Sequence, residues 1–84
     1  MLDPKVYGLS SRTELKEIKK NHIAIVKMRK SRIIMKDGVK LLEDIKKIIA
    51  VNPKLSVSLL TNAPVCSKTS AFLGNHNIKI IHQD

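Results

Sequence analysis

Hydrophobic and polar positions divide the chain into short segments of alternating helical and extended type. The clearest pattern lies between residues 37 and 51, where apolar residues recur at helical spacing and lysines and a glutamate fill the opposite side. Asp37 is suited to cap this helix, and Asn52-Pro53 ends it. The predicted inner face consists of Leu41, Leu42, Ile45, Ile48 and Ile49.

The C-terminal half predicts a strand, a helix and a second strand. Residues 55–60 are predicted to form a buried strand, and residues 78–81 form another. Pro64 suits the first turn of the helix between them, and Gly74 can supply a left-handed C-terminal cap. The inner face of this helix is predicted to be Val65, Thr69, Phe72 and Leu73. Because such crossovers are right-handed, the two strands should be parallel.

The N-terminal half is less regular. Residues 1–10 contain Pro4 and Gly8 without a sustained period, which indicates a lead-in arm. Ser11 and Glu14 have capping-box spacing, so we predict a helix over residues 12–20. A β-branched strand follows at 22–28. Residues 33–35 then form either the second strand of a hairpin or the continuation of one bent strand.

These elements predict one small α/β domain over residues 11–84. Their order is α-β-β-α-β-α-β, with a four-stranded mixed sheet packed by helices. So few elements bury only a modest core, which makes a homodimer one expected arrangement.

Net charge is the most informative feature of the composition. The 84 residues contain 16 Lys and Arg against 7 Asp and Glu, a formal net charge of +9. Such a balance indicates an acidic partner, either nucleic acid or another anionic surface. No apolar run exceeds four residues and no apolar leader begins the chain, so we expect neither a membrane span nor a secretory signal. A single cysteine suits the reducing cytoplasm, where we place the protein.

Five cations and no acid lie within residues 27–36, namely Lys27, Arg29, Lys30, Arg32 and Lys36. We expect them to face solvent and contact phosphates, with help from Lys16, Lys19 and Lys20. The predicted function is non-catalytic nucleic-acid binding, to RNA rather than DNA, although no aromatic residue lies in the cluster to stack on a base. One alternative is a subunit that docks on an acidic protein surface. Another is a solvated strand edge whose charges prevent aggregation.

A second candidate site lies at the start of the last helix and comprises Cys66, Ser67, Lys68 and Thr69. Free amides and Lys68 could bind an anion there or lower the pKa of the thiol. The segment 63–69 resembles the Pro-x-Cys-x-x-Cys/Ser/Thr opening of glutaredoxin-like proteins, which implies a thiol-dependent activity as a further alternative. The competing interpretation is a small buried residue that locks the helix to the sheet.

Two further resemblances concern the same region. The strand-LLTN-helix-strand layout is similar to the C-terminal end of PIN-type nucleases, but Ala63 occupies the position of that family's acidic residue, so metal-dependent cleavage is not expected. The TNAP segment with Ser67-Lys68 also resembles an RNA-binding α/β fold of ribosomal proteins.

The histidines at 22, 76 and 82 do not have the spacing of metal ligands, and no two carboxylates are placed for general acid–base catalysis. We therefore expect no metal and no cofactor.

Overall fold

The computed structural model describes residues 3–83 and contains one four-stranded sheet with two helices. A 3-10 helix at Pro4–Tyr7 comes first, followed by β1 (Glu14–Lys19), β2 (His22–Lys27), α1 (Met35–Val51), β3 (Ser56–Thr61), α2 (Ser67–Asn75) and β4 (Ile80–His82). The strands lie in the order β1-β2-β3-β4. β1 pairs with β2 in antiparallel fashion, whereas β2, β3 and β4 are mutually parallel. The predicted class, a small α/β domain with a four-stranded mixed sheet, is confirmed, as is the parallel pairing of the last two strands.

Both helices pack on the same face of the sheet. Two successive right-handed crossovers that add strands in one direction place their helices on one side. The main core therefore joins this face of β2 and β3 to the inner faces of α1 and α2. Its largest fully buried side chains are Ile25, Leu41, Ile48, Leu59 and Leu73, together with Ile33 from the loop before α1.

The opposite face of the sheet carries a second, smaller apolar cluster. Ala24, Val26 and Leu60 are buried there among their strand neighbours, with Ile18 and Ile81 half-buried beside them. Every member of this cluster belongs to a strand, so residues 3–83 form two layers, with both helices on the other face of the sheet. The homodimer expected from the small core stays a prediction.

The helix predicted over residues 12–20 is wrong, because this segment forms the edge strand β1. Leu15 and Ile18 have the i, i+3 spacing of a helix, but successive side chains of a strand alternate between its faces, so these two residues lie on opposite sides of the sheet. The turn between β1 and β2 contains Asn21, which adopts the left-handed conformation at φ 62°. Asparagine tolerates this conformation better than most residues.

The second strand predicted at residues 33–35 is also wrong, in both its hairpin and its bent-strand form. Ile33 makes only an isolated parallel bridge with Val65, and α1 begins at Met35.

The boundaries of α2 also differ from those predicted. α2 begins at Ser67, three residues beyond Pro64. The chain turns out of α2 at Asn77, with φ 61°, rather than at Gly74 as predicted.

The predicted N-terminal arm packs on the domain. Asp3 caps the 3-10 helix by accepting a hydrogen bond of 3.0 Å from the backbone N–H of Lys5. Gly8 closes this helix in the left-handed conformation, at φ 75°. Leu9 is then buried in the main core, and Tyr7 packs against it. Residues 1, 2 and 84 of the predicted arm and domain lie outside the described residues.

Candidate functional site

The carboxyl ends of the parallel strands form one edge of the molecule, and two loops meet there. The loop after β2 covers residues 28–34 and leads into α1, while the loop after β3 covers residues 62–66 and leads into α2. This is the edge at which α/β proteins place their ligands, because side chains and helix N-termini converge on it. We call residues 27–37 and 62–69 together the basic edge.

Backbone hydrogen bonds fasten the two loops to each other. The N–H of Ile33 donates to the carbonyl of Pro64 at 2.8 Å, and the N–H of Cys66 donates to the carbonyl of Ile33 at 2.9 Å. The buried hydroxyl of Thr61 donates to the carbonyl of Lys27 at 2.6 Å and accepts from the N–H of Ala63 at 3.0 Å. The side chains of the basic edge are therefore carried by a fixed backbone.

The side chain of Arg29 stabilises its own loop. The expectation that Arg29 faces solvent without an acidic partner is therefore wrong. Its guanidinium pairs with the carboxylate of Asp37 and also donates to the carbonyls of Ser31 and Arg32, at 3.3 and 3.2 Å. Its backbone N–H donates to Oδ1 of Asn62 at 2.9 Å. Arg29 therefore serves as a structural group and is not free to bind a ligand.

Asp37 completes this arrangement from the first turn of α1. Its carboxylate accepts a hydrogen bond of 3.0 Å from the backbone N–H of Ile34, which is the N-cap residue. Burial raises the pKa of the Asp37 carboxyl, but the Ile34 N–H and the Arg29 guanidinium outweigh burial, and the net pKa lies below its usual value. Asp37 thus stays ionised and neutralises Arg29.

The other cations of the basic edge remain available. Lys30, Arg32 and Lys36 are exposed, Lys27 is half-buried, and Lys68 is exposed on the first turn of α2. Within residues 3–83, the ion pairs are Arg29–Asp37 and Lys40–Asp44, so none of these five cations has an acidic partner. The basic edge contains six cations and one carboxylate in all. The structure therefore brings the cluster at 27–36 next to the candidate site at 66–69.

Cys66 is the N-cap residue of α2 and is free and partly exposed. The backbone N–H groups of Lys68 and Thr69 lower the pKa of its thiol, and burial opposes them weakly; the Thr69 hydroxyl and Arg32 also contribute to the lowering. Ser67 is exposed beside Cys66, whereas Thr69 is fully buried.

The remaining predicted lysines do not join the basic edge. Lys16 is exposed in the middle of β1, while Lys19 and Lys20 lie at the hairpin turn, beside the amino end of β2. Six strand residues separate the two ends of β2, a span of roughly 17 Å. The predicted set of eight cations is thus divided: five lie at the basic edge, Lys19 and Lys20 lie at the amino end of β2, and Lys16 lies between the two ends.

Lys19 and Lys20 instead line a groove of about 680 Å³ at the amino end of the sheet. The cationic and imidazole side chains that line it are Lys19, Lys20, His22, Lys54, His76 and Lys79, and none of the described residues lining it is acidic. Sequence reasoning missed four of these residues because they come from separate segments with no shared motif. Nε2 of His22 and Oγ of Ser58 share a hydrogen bond of 2.6 Å here.

Helix polarity distinguishes the groove from the basic edge. Both α1 and α2 end close to the groove, where their free carbonyls carry partial negative charge that lysines and histidines compensate. At the basic edge α2 begins, and its first turn contains no acidic residue. The partial charge of the helix terminus and the charge of the surrounding side chains therefore have the same sign only at the basic edge.

Residues 3–83 contain neither a potential metal-binding cluster nor a helix that could span a membrane. No cluster of three or more His, Cys, Asp and Glu side chains there could hold a metal ion. No helix in the described part of the chain is long and apolar enough to cross a membrane. Comparisons with protein-family models, with curated proteins and with solved structures find no match to this chain.

Proposed function

We propose that the protein binds nucleic acid non-catalytically, through phosphate contacts made by the basic edge. The observation that carries this proposal is the set of unpaired cations on a fixed backbone. Lys30, Arg32 and Lys36 are exposed, and the one carboxylate within the basic edge, that of Asp37, is paired to Arg29. Such cations gain affinity by releasing the counterions condensed on the phosphates. The N-terminus of α2 adds partial positive charge of the same sign.

The basic edge has cations for phosphate contacts and no aromatic side chain for base stacking, and this sets the class of ligand. The only aromatic side chains of the chain, Tyr7 and Phe72, pack against the main core, so neither offers a platform for base stacking. Recognition would therefore rest on phosphates and be insensitive to base sequence. RNA is the abundant polyanion of the cytoplasm, the compartment expected from the single unpaired cysteine, so RNA is proposed ahead of DNA.

A salt titration of binding tests the proposal. Fluorescence anisotropy would follow labelled single- and double-stranded RNA and DNA of one length between 50 and 300 mM salt, for the wild type and for Lys30→Gln/Arg32→Gln. Each lost phosphate contact removes about 0.7 to 0.9 from the slope of log affinity against log salt, so the double variant should flatten that slope by roughly 1.5. Affinity for all sequences should fall alike.

The matched control removes the same charge from another surface. Lys46→Gln/Lys47→Gln changes two exposed lysines of α1 that lie about 15 Å along the helix from Lys36, and it should leave the slope unchanged. A wild type that binds none of these nucleic acids at 50 mM salt refutes the proposal and leaves an acidic protein as the partner. If Lys19→Gln/Lys20→Gln weakens binding while the basic-edge variant does not, the site is the amino-end groove.

A further inference from the structure

The groove at the amino end of the sheet, which we call the amino-end groove, brings cations and apolar side chains into one concave site. We propose that it binds a phosphorylated small molecule that carries several negative charges on an apolar body, as nucleotides do. Its volume of about 680 Å³ lies within the range of about 300–1,000 Å³ that is typical of ligand pockets. The amino-end groove is separate from the basic edge, so this inference goes beyond the proposed function.

Backbone hydrogen bonds hold the segments that carry the lysines of the groove. The N–H of Ser56 donates to the carbonyl of Asn21 at 2.8 Å, which joins the β1–β2 turn to the start of β3. The N–H of Ile78 donates to the carbonyl of Leu73 at 2.9 Å, which holds the chain as it leaves α2. The groove is thus formed before a ligand binds, and the ligand does not have to order the loops. Its lysines are Lys19 and Lys20 from the β1–β2 turn, Lys54 from the loop before β3, and Lys79 from the residue before β4.

The lysines give the groove more positive charge than the two helix ends can compensate. A helix C-terminus carries about half of a negative elementary charge, so α1 and α2 together offset about one of the four lysine charges. No acidic residue lines the groove, and neither ion pair within residues 3–83 includes any of its lysines. About three positive charges therefore remain for a ligand. That surplus favours a polyphosphate over an anion with a single charge.

Apolar side chains in the groove favour an organic ligand over an inorganic one. Ile49 belongs to the apolar stripe of α1, yet it is 38% exposed and lines the groove. Leu55 is half-buried and also lines it. An apolar body in contact with these side chains would remove their surface from water. The hydrogen-bonded pair of His22 and Ser58 adds polar groups to the same lining.

Titrations with four related compounds test the charge and the apolar body separately. The probes are adenosine, adenosine monophosphate, adenosine triphosphate and inorganic tripolyphosphate, and the amide chemical shifts of the protein would be followed by NMR without divalent cations. Affinity should rise from adenosine through the monophosphate to the triphosphate, and tripolyphosphate should bind more weakly than adenosine triphosphate because it lacks the apolar body. Equal affinity for these two compounds would refute the organic ligand, and shifts confined to the basic edge, or no shifts with adenosine triphosphate, would refute the site.

Two charge variants of equal size show where the phosphates bind. Lys54→Gln/Lys79→Gln should weaken the binding of adenosine triphosphate by about tenfold, since each lost charge pair at the surface is worth about fivefold. Lys30→Gln/Arg32→Gln removes two charges from the basic edge and should change this affinity by less than about twofold in about 0.1 M salt, where charges more than roughly 10 Å apart are screened. Equal losses in the two variants would show that the compound responds only to net charge, which overturns the inference.

A matched pair of apolar variants tests the contact with the apolar body. Ile49→Ala should weaken the binding of adenosine triphosphate severalfold and leave that of tripolyphosphate unchanged. Val51→Ala, an exposed change on α1 outside the groove, should affect neither compound. An equal loss for both compounds in Ile49→Ala would show that the side chain supports the groove without touching the ligand, which contradicts the proposed ligand class. No nucleic acid takes part and the basic edge is intact in these variants, so failure here leaves the proposed function to its own test.

Discussion

Replacing Gly38 with alanine tests how closely the two helices approach. Gly38 lies in α1 and is buried against α2. A Cβ atom at this position would lie 2.9 Å from Cγ2 of Thr69, whereas ordinary contacts begin near 3.4 Å. Thr69 is itself fully buried and β-branched, so its methyl group has little freedom to move aside. The helices would have to separate by several tenths of an ångström.

Two opposing effects set the size of the change. Alanine favours the helical state over glycine by about 1 kcal/mol. Overpacking a well-packed core typically costs about 1–3 kcal/mol. The free energy of unfolding should therefore fall by about 1 kcal/mol, which in a domain of this size lowers Tm by roughly 4–8 °C. Gly74→Ala supplies the control, because Gly74 is exposed in α2 with nothing within 4 Å of its added Cβ, and it should stabilise by about 0.5–1 kcal/mol.

Urea unfolding followed by circular dichroism measures both variants. Adding Thr69→Ser to Gly38→Ala removes the obstructing methyl group, so the double variant should regain about 1 kcal/mol relative to the sum of the single changes. If Gly38→Ala stabilises the protein as much as Gly74→Ala does, the helices can separate freely and the close approach does not matter. Additive effects of the two changes would lead to the same conclusion.

Two further predictions concern charge and packing. The pKa of Asp37 is lowered in the folded state, so the stability it contributes is present above its ordinary value of 3.8 and is lost as pH falls through the lower folded value. Asp37→Asn should therefore be less stable than wild type at pH 7, and in urea titrations this difference should shrink as pH falls below 3.8; a difference that is independent of pH would contradict this account. Leu59→Ala, at a fully buried position, should lower the free energy of unfolding by about 2–5 kcal/mol. Ile49→Ala, at an exposed position, should cost about 1 kcal/mol or less, and similar costs for both would show that the core lies elsewhere.

Elements whose burial pattern is local could be predicted from the sequence alone. α1 carries a one-sided apolar stripe over 17 residues, and such a stripe can be buried only when the segment is helical. β3 is buried through most of its length because it is a central strand, with a neighbour on either side. The concentration of cations between Lys27 and Lys36 was likewise visible along the chain.

The remaining features of the fold and of the basic edge could not be predicted, because they depend on contacts between segments that are distant in the chain. Leu15 and Ile18 fit a helix as well as a strand, and pairing with β2 selected the strand. Arg29 appeared free in the sequence, although Asp37 follows eight residues later, because only the turn into α1 brings the two together. Cys66 meets the loop of Arg32 through the Ile33–Val65 bridge, which spans 32 residues of chain. Local patterns specify which face of a segment is buried, whereas the partner of that face depends on how the whole chain closes on itself.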